Sequence, residues 1–331
     1  MITPSLDVLC IGNAIVDVIA DADDAFLAGQ GLDKGSMRLI DEAEAVRLYG
    51  VMGPGRELSG GSAGNTAAGL AALGIRTGFI GQVADDQLGK IYQHDVEAQG
   101  VEFLVAARGD VGATARCLIL VTPDAQRTMN TFLGAAQRLE AKDVDLARVA
   151  DAAIVYLEGY LWDPAEPRAA MEAAIDAAHA AGRKVAFTLS DTFCVDRHRD
   201  GFWALIDAGQ IDILFANEAE LLAMAGGENF EAALAMLAAK VGTLVVTRSE
   251  AGAVAVSDEE RASVAAEPIE RLVDTTGAGD LFAAGFLAGQ ARGLGLEVSL
   301  KLGAIAAAEV IQHYGARPEA DLKALAGDLL G

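Results

Sequence analysis

The segment Val273-Asp274-Thr275-Thr276-Gly277-Ala278-Gly279-Asp280 gathers residue types that can act on an anion. Gly277, Ala278 and Gly279 are small enough for a phosphate oxygen to approach the backbone, and the apolar run Leu281–Ala291 behind them predicts a helix. N–H groups at a helix start point outward with the positive end of the dipole, so the turn reads as an anion hole. Asp280, one step on, would reach a hydroxyl that attacks phosphorus and accept its proton. The plainer reading is a glycine turn followed by an acid that favours the first helical turn; Asp274-Thr275-Thr276 ahead of it weighs against coincidence.

Other segments supply polar groups of the kind a sugar needs. In Ser59-Gly60-Gly61-Ser62-Ala63-Gly64-Asn65-Thr66, paired glycines let the backbone pass close to a ligand, and Asn65 offers a donor and an acceptor to a diol. Either Ser62 or Asn65 would equally serve as a helix cap. Asn13 and Asp17 follow the first apolar run, and one carboxylate can accept from two adjacent hydroxyls, although a lone Asp17 also suits an exposed strand face. Asn217-Glu218-Ala219-Glu220 has the spacing of a capping box, and its oxygens could also serve a hydrated Mg²⁺. A turn from Thr247 to Gly252 follows another apolar run and could line a nucleotide.

These segments need a frame. Short apolar runs at Leu6–Gly12, Thr77–Val83, Cys117–Val121, Ala152–Leu157, Lys184–Leu189, Ile211–Phe215, Leu244–Thr247 and Ala253–Val256 predict buried strands. Helices are predicted at Thr66–Leu73, Leu88–Gln99, Ala165–Ala181, Phe230–Lys240, Asp280–Arg292 and Ser299–His313. Their alternation implies an α/β fold, a parallel sheet covered on both faces. Val16–Asp21, the turn-rich Gly29–Gly35 with Met37–Ile40, and the runs Gly112–Val121 and Arg127–Phe132 about the Thr122–Gln126 turn break that rhythm and suggest a small second sheet.

Composition limits the partners. With 331 residues, 52% hydrophobic, the chain can bury a large core. Its formal charge of −23, from 48 acidic against 25 basic residues, argues against nucleic acid and anionic membranes, and requires local positive potential wherever a nucleotide binds. Three cysteines, Cys10, Cys117 and Cys194, lack ligand or disulfide spacing and read as buried thiols. Neither a signal-peptide pattern at Met1–Leu6 nor a span of ~18 apolar residues is present, so a cytoplasmic location is expected. The four histidines are scattered singly, and no Walker A loop surrounds Lys34 or Lys90.

Gly60–Gly74 and Asp274–Asp280, with Asn217–Glu220 between them, resemble the ribokinase or PfkB family of carbohydrate and nucleoside kinases, over nearly the whole chain. The resemblance implies one three-layer α/β/α ribokinase-like domain over 1–331, with a mainly parallel central sheet and a small β-sheet lid formed by about 13–41 and 108–134. It also implies ATP and Mg²⁺ as cosubstrates and transfer of the γ-phosphate to a primary hydroxyl. By similarity Asp280 is the base and Gly277, Ala278 and Gly279 the anion hole. Asn13, Asp17, Gly60, Gly61 and Asn65 contact the acceptor; Asn217 and Glu220 serve metal and phosphates, Glu220 through water. Thr247, Gly252 and Gly279 line ATP, and Asp274 and Thr276 match one side of a monovalent cation (K⁺) site.

Within the family the chain resembles adenosine kinases, through Asn13–Asp17 and through Arg127, whose counterpart stabilises the transferred phosphoryl group. Arg127 is equally readable as an exposed hairpin arginine. Adenosine kinases stack the base on an aromatic pair, whereas this chain has Gly159-Tyr160-Leu161-Trp162, in which Tyr160 can stack and the second aromatic is displaced. The expected acceptor is therefore a small-molecule nucleoside, adenosine first. Ribose, a ketohexose or a related sugar is the second reading, and a non-catalytic nucleotide or sugar sensor the third. The assembly is a monomer or a homodimer.

Overall fold

The computed structural model describes residues 4–124, 126–258 and 260–330. Leu6–Ile11 lies between Ala152–Glu158 and Thr77–Ile80, parallel to both, with Val8 opposite Ile154 on one side and Thr77 on the other. Buried on both faces, it has the composition of a parallel strand covered by helices. From there the sheet extends in both directions to nine strands, running Arg261–Val264, Ala253–Ser257, Thr243–Thr247, Ile213–Asn217, Lys184–Thr188, Ala152–Glu158, Leu6–Ile11, Thr77–Ile80, Glu102–Phe103. Neighbours are parallel except at Ala253–Ser257, which is antiparallel to both of its neighbours.

Alternate side chains of this sheet feed two separate cores, as the two-residue period of a strand requires. Val8, Cys10, Tyr156, Phe215 and Val245 pack under the helices Ser62–Ala72, Ala278–Ala291 and Leu296–Val310. Leu9, Ile11, Val155, Leu157, Phe187 and Val246 face Ala165–Ala180, Thr192–Asp207, Glu218–Ala225 and Phe230–Ala238. The result is the expected three-layer α/β/α architecture. Ala278–Ala291 and Leu296–Val310 meet through glycines: a Cβ on Gly285 would lie 2.3 Å from the Leu302 carbonyl oxygen, and one on Gly303 would lie 2.7 Å from that of Phe282.

A second sheet of five strands has the order Met37–Leu39, Arg127–Phe132, Ala115–Val121, Ile15–Asp21, Gly55–Ser59. Val16, Val18, Leu118 and Leu120 turn inward to Leu27 and Leu48 of the helices Asp24–Gln30 and Glu42–Val51. Ile15, Asp17, Cys117, Ile119, Met129 and Thr131 form the other face, toward a cleft.

Several expectations shift. Cys117–Val121 lies in the smaller sheet, as the run Gly112–Val121 suggested, but that sheet also includes Gly55–Ser59, outside the expected 13–41 and 108–134. Asp24–Gln30 takes up the start of the stretch read as turn-rich, stopped by Gly31 in the left-handed region. Helices begin earlier than predicted, at Ser62 and Ala278, because Gly61 and Gly277 at positive φ serve as their N-caps. Ala125 of the Thr122–Gln126 turn lies outside the described residues. Among the described residues no helix is long and apolar enough to cross a membrane.

Candidate active site

Chain order reverses on either side of Leu6–Ile11, and the crevice at the carboxyl ends of strands beside such a reversal is where open α/β sheets place ligands. Gly12 and Asn13, Glu158, Asn217 and Thr247 all lie at that edge. Two clefts open there. One, of about 490 Å³, lies between the edge and the smaller sheet, lined by Asp17, Asn65, Tyr160, Glu220 and the turn Thr276–Asp280. The other, of about 620 Å³, has a largely apolar wall of Ile269, Leu272, Phe282, Ala304, Ala307 and Ile311. They meet at Thr247, Ser249, Ala278, Gly279 and Phe282, which line both.

Asp280 sits in the first turn of Ala278–Ala291, and both its carboxylate oxygens are held by the opposite helix: Ser62 Oγ donates to Oδ1 (2.6 Å) and Asn65 Nδ2 to Oδ2 (2.8 Å). Burial pushes its pKa up against those two hydrogen bonds and the charge of Arg317. No side chain caps the helix. Ala278 N–H bonds back to Thr275 O, whereas the amides of Gly277, Gly279 and Asp280 meet no protein acceptor among the described residues. Unpaired amides at a helix start, beside a carboxylate and at the junction of two clefts, are equipped to hold a phosphoryl group.

Glycines make the close approaches. A Cβ on Gly60 would lie 2.4 Å from Asp17 Oδ2, and one on Gly61, at φ +82°, would lie 2.2 Å from Asn13 O. The Asp17 carboxylate thereby rests against the backbone. Burial raises its pKa to about 6, opposed by Arg317 and Arg127 and assisted by Asp280 and Asp274. Asn65 Oδ1 is buried without a partner beside it, an acceptor open to a ligand hydroxyl.

Asn13 and Gly60 do not line either cleft. The Asn13 amide donates instead to Glu158 Oε1 (2.7 Å), as does its backbone N–H (2.8 Å), and Ala63 N–H donates to Oε2 (2.7 Å). Glu158, which sequence reasoning missed, is fully buried with a pKa raised to about 7 by that burial. A carboxylate ending the apolar run Ala152–Leu157 was its only signal. Ser62 and Arg317 were also passed over, the former read only as a cap.

The other predicted residues divide. Asn217 and Glu220 form a reciprocal capping box and still line the acceptor-side cleft; burial raises Glu220 to about 7. Thr247 and Gly252 line the apolar cleft, and position 252 admits only glycine, for its φ is +83° and a Cβ would lie 2.0 Å from Val264 O. Tyr160 reaches the acceptor-side cleft with its hydroxyl donating to Asp191 Oδ2 (3.0 Å), while Trp162 is buried against Phe202. Arg127 is no exposed hairpin arginine. It contacts Asp274 (Nη2 to Oδ2, 2.7 Å), donates to Thr276 Oγ1 (3.1 Å), and lies over the Tyr314 ring.

Asp274 also accepts from Thr276 N–H, Thr276 Oγ1 and Gly315 N–H. Its carboxylate thus already faces a guanidinium cation. Among the described residues no group of three or more His, Cys, Asp or Glu side chains could hold a metal, so a divalent ion here would take most of its ligands from nucleotide phosphates and water, a coordination Mg²⁺ favours.

Known proteins align with this arrangement. Residues 51–322 match the pfkB family carbohydrate kinase pattern. The solved adenosine kinase of Sinorhizobium meliloti is 51% identical, with 97% of this chain and 98% of that one covered and a TM-score of 0.90. The adenosine kinase of Saccharomyces cerevisiae is 27% identical over 328 residues (92% of this chain, 94% of that one). Fructoselysine 6-kinase of Escherichia coli is 30% identical over 265 residues (79% and 92%). By the extent of these matches the chain belongs to the pfkB family of carbohydrate kinases, phosphotransferases that act on an alcohol group of a small nucleoside or sugar and use ATP with a divalent metal.

Proposed function

We propose that the enzyme transfers the γ-phosphate of ATP to the 5′-hydroxyl of a nucleoside, with adenosine the first candidate. The observation that carries this is the division of the acceptor cleft. Asp17 and the open Asn65 Oδ1 lie at its Asp280 end, whereas the smaller sheet presents Ile15, Ile119 and Met129, with Tyr160 and Phe215 also lining the cleft. A ribose suits the Asp17 and Asn65 end, and a flat base suits Ile15, Ile119, Met129, Tyr160 and Phe215, with Thr131, Thr188 and Ser190 in the same lining to meet its polar edge. A free hexose would leave hydroxyls against the apolar side chains of the smaller sheet.

In this reading Asp280 accepts the hydroxyl proton, Asp17 and Asn65 hold the ribose diol, and Gly277 to Gly279 hold the γ-phosphate. Thr247 and Gly252 line the nucleotide cleft. Arg127 steadies Thr276 and lends charge to the phosphate. Mg²⁺ would shield the phosphate charge, with Asn217 and Glu220 reaching it through water. The smaller sheet acts as the lid that excludes water while the phosphoryl group moves.

An acceptor panel with Mg-ATP tests the assignment. Adenosine is expected to exceed ribose and fructose in kcat/KM by about a hundredfold, the scale at which loss of a binding element discriminates. Fructose or ribose equalling adenosine would mean that the apolar wall does not receive a base.

The acid limb of kcat/KM provides a second test. Asp17, raised to about 6, accepts from two hydroxyls only when ionised, so activity should be full only above about pH 7, where Glu220 is also ionised, and fall more steeply as pH drops through 6. A rate for adenosine that stays flat well below pH 6 would remove Asp17 from acceptor binding.

A further inference from the structure

Arg317 takes no part in the roles above, yet it is tied into the acceptor turn at three points. Its Nε donates to Ser59 O (3.1 Å), Nη1 to Gly64 O (2.6 Å) and Nη2 to Ser59 Oγ (2.9 Å). Ser59 and Gly64 bracket the turn that carries Gly60, Gly61 and Ser62. The far side of Ser59 is fixed by Asp95, which accepts from its N–H (2.8 Å) and its hydroxyl (2.5 Å). Among the described residues the Arg317 guanidinium bonds to two carbonyls and a hydroxyl, and to no carboxylate. A cation held by neutral carbonyls rather than by an anion remains available to act on charges further away.

The two residues before it touch the other half of the site. Gly315 N–H donates to Asp274 Oδ2 (3.2 Å), and Ala316 packs so closely beneath Gly277 that a Cβ there would lie 2.5 Å from the Ala316 Cβ. Three consecutive residues thus contact the Asp274 cluster, the anion-hole turn and the acceptor turn in order.

We propose that Arg317 is a positioning residue for phosphoryl transfer, the end of a Gly315–Arg317 tie that fixes the acceptor turn relative to the anion hole. Through that turn it places Ser62 and Asn65 on Asp280, and so the proton acceptor against the phosphate cradle. Its charge has a second effect, favouring the ionised forms of both Asp17 and Asp280 against burial. The charged groups acting on Asp17 are Arg317, Arg127, Asp280 and Asp274; Asp280 has Arg317, with Ser62 and Asn65 as neutral donors; Tyr92, Asp95, Asp17 and Asp280 act on Arg317 itself.

The inference rests on the reading of Asp280 as the base, and not on which alcohol accepts the phosphate. The experiment compares R317M and R317K with wild type and D280N, using the best acceptor of the panel, with the pH profile of kcat/KM, KM for ATP and Tm recorded for each. Misplacement of reacting groups by about an ångström costs on the order of a hundredfold, so R317M is expected to lose about that factor in acceptor kcat/KM while KM for ATP stays within about twofold. Its acid limb should move to higher pH, because the cation that favours the carboxylates is gone. R317K, which keeps the charge and loses the planar fork, should recover part of the rate and keep the wild-type limb.

Wild-type kinetics in R317M would overturn the proposal. So would equal losses in R317M and R317K with the limb unmoved and Tm lowered, the pattern of structural support alone. If R317M does not fold, R317K decides: a reduced rate on an unmoved limb at wild-type Tm supports the tie, and wild-type kinetics or a lowered Tm refutes it. An active D280N would sink the base assignment beneath the inference, whereas an inactive D280N beside a normal R317M sinks the inference alone.

Discussion

Asp280→Asn is expected to lower kcat by about 10²–10⁴-fold, the range that proton transfer by a positioned base contributes. The change keeps the size of the side chain, and Ser62 Oγ can still donate to the remaining oxygen. An amide nitrogen at Oδ2 would meet the Asn65 amide donor to donor; turning the Asn65 amide over brings its unpartnered Oδ1 to accept from the new N–H, so the group keeps its position and loses its basicity. Folding should change little, and Tm can be measured beside single-turnover rates to separate the two effects. A variant that keeps more than about a tenth of the wild-type rate would mean that the hydroxyl proton leaves by another route.

Gly277→Ala is expected to cost about a hundredfold in kcat, comparable to removal of one donor from an oxyanion hole. Gly277 sits at φ +79° and ψ −2°, a region that costs a residue with a Cβ about 1–2 kcal/mol. A methyl group there would also meet Ala316 Cβ at 2.5 Å. Relief of that contact must rotate the turn or push back the 315–317 segment, and either movement displaces the free amides of Gly277 and Gly279. Because the role proposed for those amides is to bind phosphate, KM for ATP should rise along with the loss in kcat. Wild-type turnover in this variant would place the phosphate elsewhere.

The sequence made the phosphate turn legible because its parts are contiguous: glycines, carboxylate and helix occupy a single stretch. The strands of the larger sheet were legible for a similar reason, as continuous apolar runs buried on both faces. What stayed hidden depends on distant pairs. Glu158 acquires its meaning from Asn13 and Ala63, 145 and 95 positions away, and Arg317 from Ser59, 258 positions away. Arg127 could be recognised as a charge near the site, but not as facing Asp274. Asp24–Gln30 and Glu42–Val51 bury only Leu27 and Ala45 with Leu48, too few apolar positions to mark a helical face, although Asp23 and Asp41 cap them. Gly55–Ser59 lacks strict alternation, so its place at the edge of the smaller sheet came only from pairing with Ile15–Asp21.

The glycine contacts between Ala278–Ala291 and Leu296–Val310 have a mechanical consequence. Two helices whose backbones touch at Gly285 and Gly303 cannot slide or roll past one another without collision, so the phosphate cradle rides on an immobile base. Under the proposed lid role, traffic into and out of the enzyme falls to the opposite bank, whose strands grip the cradle partly through the Arg127–Asp274 contact.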